Sequence, residues 1–416
     1  MPREASHLEG QGGERVGVGG DRARGAMSTM TLPIPFDFER LDGLLEECGI
    51  DALLATSGHA VRYLLGGYRF FLYEVLDGIG MDRYLPIVGY VRDAPERAFY
   101  VGAGNEAWGT DVQPPWIPTL KLKAWASDHA ASLAAEQLIH RGLADATIAI
   151  ERPHLPTDAG ERLCIELPGA RFVDGGQVLE ELRAVKRPDE LQLLREGATA
   201  VVDAMLATFA GAAVGDTTAE LAERLRVEQT ARGLTYGYCL VTAGASINRA
   251  PSTRAVAEGA VVSLDSGAHR HGYVADLTRM GVVGEPSARA RELLEQVADV
   301  QAAARGAVRG GRRGGDIFDA AQAAIAELPD RTRLTFLAHG TGLLSHEAPR
   351  LTETGSPPYP AAHRERPLQP GMVLSIETHV TDDAVGFVKL EDTVIVATDG
   401  FEACGDHGRD WNRIGG

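Results

Sequence analysis

The sequence predicts an α/β domain followed by an α+β domain, on three observations. Short apolar runs alternate with helical patterns through the first 185 residues. A charged segment with a proline, Glu180–Asp189, then breaks the alternation. Beyond it, long amphipathic helices accompany two hairpins, each carrying a pair of acids.

The first domain is placed at residues 31–185. Phe36–Cys48 reads as an amphipathic helix, with Phe38, Leu41, Leu44 and Leu45 on one face. Ile50–Thr56 reads as a buried strand. Tyr84–Val91, Ala98–Val101, Thr147–Ile150 and Arg171–Val173 are further strands, and Ala126–Leu143 is helical. The second domain is placed at 186–416. Its first helix, Asp189–Ala210, sets Leu191, Leu194, Ala198, Val201, Val202, Met205 and Leu206 near a helical period. Thr217 caps a second helix to Arg232, and two more run over Ala288–Val308 and Asp316–Leu328. Residues 1–30 are Gly- and Arg-rich and read as a disordered tail or an upstream extension, with Met27 and Met30 as alternative starts. The run Gly17–Gly20 precedes no strand–helix unit, which excludes a nucleotide loop.

A net charge of -17 repels phosphate backbones and argues against a nucleic-acid partner. No apolar run reaches the roughly 18 residues of a membrane span. The N-terminus lacks the apolar stretch of a secretory signal. Cys48, Cys164, Cys239 and Cys404 are scattered, with no CxxC pair, which fits free thiols in a cytoplasmic protein.

The hairpins carry the chemistry. In Val261–Met280, a two-residue loop at Arg270–His271 sets Asp265 directly opposite Asp276. Opposed side chains have Cβ atoms roughly 4.5–5.5 Å apart. Two carboxylates that close repel unless a cation lies between them, and a divalent metal suits oxygen donors. In Met372–Val396, Glu377 faces Glu391 and His379 faces Lys389. Between the hairpins lies Ala338–Arg350, where Gly340 and Gly342 after His339 permit close backbone approach, and His346 follows. Each piece alone has an ordinary reading. Strand acids face solvent or bind an arginine such as Arg279, and a loop histidine is structural. Their conjunction favours metal: one imidazole and four carboxylates suit two divalent ions, Mn, Co, Zn or Fe.

The order Asp265-Ser266-Gly267, Asp276-Leu277-Thr278-Arg279, His339-Gly340-Thr341-Gly342 through His346, Glu377 and Glu391-Asp392 resembles the creatinase, prolidase, aminopeptidase P and methionine aminopeptidase superfamily. The match covers about residues 186–405, with a looser likeness to the creatinase-type small domain before it. The resemblance implies a creatinase-like N-terminal α/β domain and a pita-bread α+β catalytic domain, in a homodimer. It implies metal ligation by Asp265, Asp276, His339, Glu377 and Glu391, with Asp276 and Glu391 bridging two ions. It further implies a metal-bridging water as nucleophile, Glu377 as general base and His346 as donor to substrate or oxyanion. The expected reaction is aminopeptidase or dipeptidase cleavage of Xaa-Pro type.

The pocket departs from the pattern. Ser252 stands where the relatives have a substrate-contacting His, Thr378-His379 follows the metal glutamate in place of Pro-Gly, and Lys389 replaces an Arg. Lysine lacks the planar fork that grips a carboxylate. Ser252, His379, Lys389 and His346 are therefore the expected substrate contacts. The departures keep open a small non-peptide amide or cyclic amidine as substrate. A non-catalytic binding protein is a third reading, set against the complete ligand set. His269 and His271 read as an exposed turn. The aromatic run Tyr63–Tyr73 reads as core or dimer surface, and Lys186-Arg187 as a solvated linker.

Overall fold

The computed structural model describes residues 32–72, 83–352 and 361–415. The described residues from Ile34 onward form one compact unit. The tail expected over residues 1–30, and Tyr73, lie outside the described residues.

Six strands form the first sheet: β1 (Ala52–Ala55), β2 (Ile87–Val91), β3 (Phe99–Ala103), β4 (Thr119–Ala124), β5 (Thr147–Ile150) and β6 (Arg171–Asp174). Their order is β4-β3-β2-β1-β5-β6. β2 runs antiparallel to β1 and β3, and the remaining pairs are parallel. Strand alternation feeds two cores: Leu53 and Ala55 pack on one face, Ala52 and Leu54 on the other. β4 is an edge strand whose Leu-Lys alternation leaves Leu120 at 36% exposure, so no apolar run announces it. Tyr63, Tyr68 and Phe70 are core, whereas Phe71 is exposed.

Within the charged segment Glu180–Asp189, Lys186, expected with Arg187 as a solvated linker, is buried, while Arg187 is partly exposed. The helix Gly176–Ala184 takes in the first half of that segment. Lys186 is buried, with Nζ 3.1 Å from Glu347 Oε1, and Arg183 Nε lies 3.2 Å from Glu347 Oε2. Two cations here neutralise one acid beside the His339 loop.

Pro188 opens the next helix, Pro188–Gly211, at a position where its missing N–H costs nothing. Thr217 caps Thr218–Ala231 in a reciprocal box with Glu220. These helices pack with β7 (Thr235–Ala243), β8 (Val261–Arg270) and part of β9 (Tyr273–Val283). The helices Ala288–Ala307 and Gly315–Ala326 pack with β10 (Thr335–Gly340), β11 (Val373–Asp382) and β12 (Gly386–Ala397). The second sheet has the order β10-β11-β12-β9-β8-β7, with β13 (Gly400–Cys404) on β12 and β14 (Asn412–Ile414) on β9.

The register of the first hairpin differs from the expected one by two residues. Arg270 pairs with Tyr273, Asp265 with Thr278, and Asp276 with Gly267. The loop is His271-Gly272, both with positive φ, 47° and 90°. That is the backbone a tight two-residue hairpin turn requires, and Gly272 supplies it without strain. A loop at Arg270-His271 would waste the glycine. A shift of two residues preserves the side-chain face, so Asp265 and Asp276 still share one, as diagonal neighbours rather than opposed ones. The second hairpin has the expected register, Glu377 against Glu391 and His379 against Lys389.

Candidate metal centre

The central strands β8, β9, β11 and β12 bring one face of acids together, because Glu391 on β12 pairs with Thr278 on β9. Asp265, Asp276, His339 and Glu391 are each buried. Glu377 is the least enclosed of the acids, with 14% of its side chain exposed. His339 is the penultimate residue of β10, and no room exists beside it for larger residues. A Cβ on Gly340 would stand 2.4 Å from Pro349 N, and one on Gly342 2.0 Å from Glu347 Oε1. The close approach expected of these glycines is present.

His339 Nδ1 lies 3.1 Å from the Gly340 carbonyl oxygen. A proton held there leaves the Nε2 lone pair facing the acids, 3.8 Å from Glu377 Oε1 and 3.9 Å from Glu391 Oε1. Nε2 and Asp276 Oδ1 are buried with no well-formed hydrogen bond among the described residues. Ligand atoms of Asp276, His339 and Glu391 all lie within 4.8 Å of one another. Buried polar atoms are ordinarily paired, and nitrogen with carboxylate oxygen suits Mn, Co, Zn or Fe, so these three residues fit a divalent ion.

The electrostatics are uneven. Burial, then the charges of Glu391 and Asp265, pushes the Asp276 carboxyl well above the usual range. Burial also raises Asp265 and Glu377. Burial acts the same way on Glu391, but the Lys389 ammonium, His339 and the hydrogen bonds from Lys389 and Ser375 together outweigh it and hold that carboxyl low.

Lys389, expected as a substrate contact, lies among the acids. Its Nζ lies 2.7 Å from Asp265 Oδ2, 2.5 Å from Glu377 Oε2 and 2.9 Å from Glu391 Oε2, with only 4% of the side chain exposed. Ser252 is likewise engaged elsewhere. Its N–H and hydroxyl pair with Thr218 Oγ1 at 2.9 and 3.1 Å, and its carbonyl accepts from Ala219 N, at the start of the helix Thr218–Ala231. Arg249, three residues earlier, is the one that reaches the centre, where its guanidinium donates to Asp265. His379 is half-buried against Phe387, ring centroids 5.1 Å apart. His346 is solvent-facing and stacks on His339, ring centroids 3.8 Å apart. His271 occupies the exposed turn, as expected. Arg279 does not serve the paired aspartates. It is shut away with Asp392, 3.0 Å apart.

Several supporting residues carried no sequence signal. Ser345 Oγ donates to Asp276 Oδ2 at 2.7 Å, Ser375 Oγ to Glu391 Oε1 at 2.7 Å, and Thr278 Oγ1 to Glu391 Oε2 at 3.1 Å. The Tyr238 ring fills the space over Gly267, where a Cβ would meet it at 2.5 Å.

Residues 192–398 match the metallopeptidase family M24, and residues 38–185 match the creatinase/prolidase N-terminal domain. An uncharacterized peptidase of Bacillus subtilis, YqhT, is 24% identical over 87% of this chain and 95% of its own. An Xaa-Pro dipeptidase of Pyrococcus furiosus is 27% identical over 54% of this chain and 63% of its own. Among solved structures, an Xaa-Pro dipeptidase from Bacillus anthracis has the same fold, with a TM-score of 0.76, 22% identity and coverage of 91% of this chain and 99% of that one. Among the described residues no helix is long and apolar enough to cross a membrane.

Proposed function

Because the chain belongs to the creatinase, prolidase and aminopeptidase P superfamily of metallopeptidases, we propose that it cleaves short peptides of Xaa-Pro type with a divalent metal held by its C-terminal domain, residues 186–416. The observation that carries this reading is the convergence of Asp276, His339 and Glu391, with two of their ligand atoms buried and without a well-formed hydrogen bond. When bound, a divalent ion supplies Lewis acidity, lowering the pKa of water and polarising a carbonyl.

The chain's own residues do the rest. Glu377, the most accessible of the four acids, takes a proton from water as general base. His346, facing solvent and stacked on the ligand histidine, donates to the carbonyl oxygen as charge develops. Asp265 completes the acidic wall. His379 and Phe387 border the position of the substrate. The partner is thus a small peptide, and a cytoplasmic homodimer is the proposed setting. The non-peptide amide reading rested on Ser252, His379 and Lys389 as altered pocket contacts. With Ser252 tied to Thr218 and Lys389 to the acids, two of its three supports are engaged elsewhere.

Initial rates of Mn- and Co-reconstituted protein on Xaa-Pro dipeptides, Xaa-Pro tripeptides and matched non-proline peptides test the reading. Dipeptide turnover alone makes it a dipeptidase and tripeptide turnover an aminopeptidase. Silence across the panel with metal bound overturns it.

A further inference from the structure

Building on the metallopeptidase reading of the site, we propose that Lys389 supplies the second cation of this centre. Its ammonium takes the place among Asp265, Glu377 and Glu391 that a second divalent ion would need. The chain then binds one divalent ion, on Asp276, His339 and Glu391.

The contacts divide the five donors into two groups. Lys389 Nζ is within 2.5–2.9 Å of Asp265, Glu377 and Glu391 at once. Those are hydrogen-bond distances to charged oxygens, and together they use all three donors of an ammonium. The atoms without a well-formed hydrogen bond, Asp276 Oδ1 and His339 Nε2, lie in the other group. Convergence tight enough for an ion is confined, among the described residues, to Asp276, His339 and Glu391. Asp265, which two-ion ligation would need, is instead held by two side-chain cations, Lys389 and Arg249.

The charge count agrees. Asp265, Asp276, Glu377 and Glu391 carry four negative charges in their ionised forms, and Lys389 with Arg249 returns two. The remaining deficit is two, which a single divalent ion cancels. A second ion would leave the pocket two charges positive, in a site with almost no solvent to screen it. The lysine also has little freedom to leave. It sits mid-strand on β12, with its N–H on Met280 Sδ at 3.4 Å and its side chain enclosed.

Metal counting tests this without reference to turnover. The native full-length chain and Lys389→Met are loaded with excess Mn(II), freed of unbound ion and analysed for Mn per chain. Electron paramagnetic resonance then distinguishes isolated from exchange-coupled Mn(II). The expected result is one ion per native chain with an isolated six-line spectrum, and two coupled ions in Lys389→Met. Two coupled ions in the native chain overturn the proposal and leave the metallopeptidase reading intact. One ion in both chains also overturns it, because the ammonium then excludes nothing. No ion in either chain overturns both. Where Lys389→Met fails to fold, Lys389→Gln supplies the same comparison, and two coupled ions in the native chain overturn the proposal by themselves.

Discussion

Arg279 and Asp392 form an ion pair at 3.0 Å with neither side chain more than 1% exposed, joining β9 to β12 on the face opposite the acids. Each follows in sequence a residue of the centre, Thr278 and Glu391, so strand alternation turns the metal-facing pair one way and this pair the other. Arg279 also donates to the carbonyls of Glu391 and Gly405 at 2.9 and 2.7 Å. Asp392→Ala leaves a guanidinium buried without its counter-charge. The expected loss is about 3–5 kcal/mol in urea unfolding. A loss below about 1 kcal/mol would show that the arginine finds other compensation.

Glu347 poses the same question with two cations. Glu347→Ala strands Arg183 and Lys186, both buried, and is expected to cost about 3–5 kcal/mol. The exposed pair Arg195–Glu402 is closer, at 2.6 Å, with side chains 36% and 47% exposed. Its loss in Glu402→Ala is expected to cost under about 1 kcal/mol, because water screens it. Equal effects in the two variants would refute the argument from burial.

Glu106 makes stability depend on pH. Burial pushes its carboxyl from 4.5 up to about 7, against hydrogen bonds from Ala103 N and the Tyr68 hydroxyl. The folded chain therefore holds a proton there that the unfolded chain releases. This contribution is fully present below about pH 4.5 and is lost as pH rises through about 7. Its size is about 3 kcal/mol at 1.36 kcal/mol per pKa unit. Glu106→Gln should flatten the slope of unfolding free energy over that window. An unchanged slope would mean that Glu106 does not titrate there.

Ser345 and Ser375 orient two of the three converging ligands. Ser345→Ala and Ser375→Ala are each expected to weaken metal binding by about 10–100-fold, as removal of a ligand's supporting hydrogen bond usually does. Titration with Mn(II) measures this. Native affinity in both variants would mean that Asp276 and Glu391 are positioned by their strands alone.

The sequence was informative where periodicity governs. The helix expected at Asp189–Ala210 spans Pro188–Gly211, and the Glu377–Glu391 register is as arithmetic required. Two loops are compatible with the length of the first hairpin, and only the positive-φ turn at His271-Gly272 selects the observed register, two residues from the expected one. Alternation gives the face of Lys389 but neither its depth nor its contacts with three acids. Arg249 and Ser345 reach the acids from outside the strands, where spacing carries no such information. β4 has no apolar run in the sequence because an edge strand has no need of one.

The turn at Gly272 has a consequence for modularity. A Cβ there would stand 2.6 Å from Arg62 Cζ, so the helix Gly58–Leu64 of the first sheet's domain rests on the loop that sets the register of Asp265 and Asp276. The halves of this chain are therefore poor candidates for cutting and exchange. A foreign N-terminal half would have to reproduce a seat shaped around an absent side chain, and any graft that shifted the hairpin register by one residue would put Asp265 and Asp276 on opposite faces of the sheet.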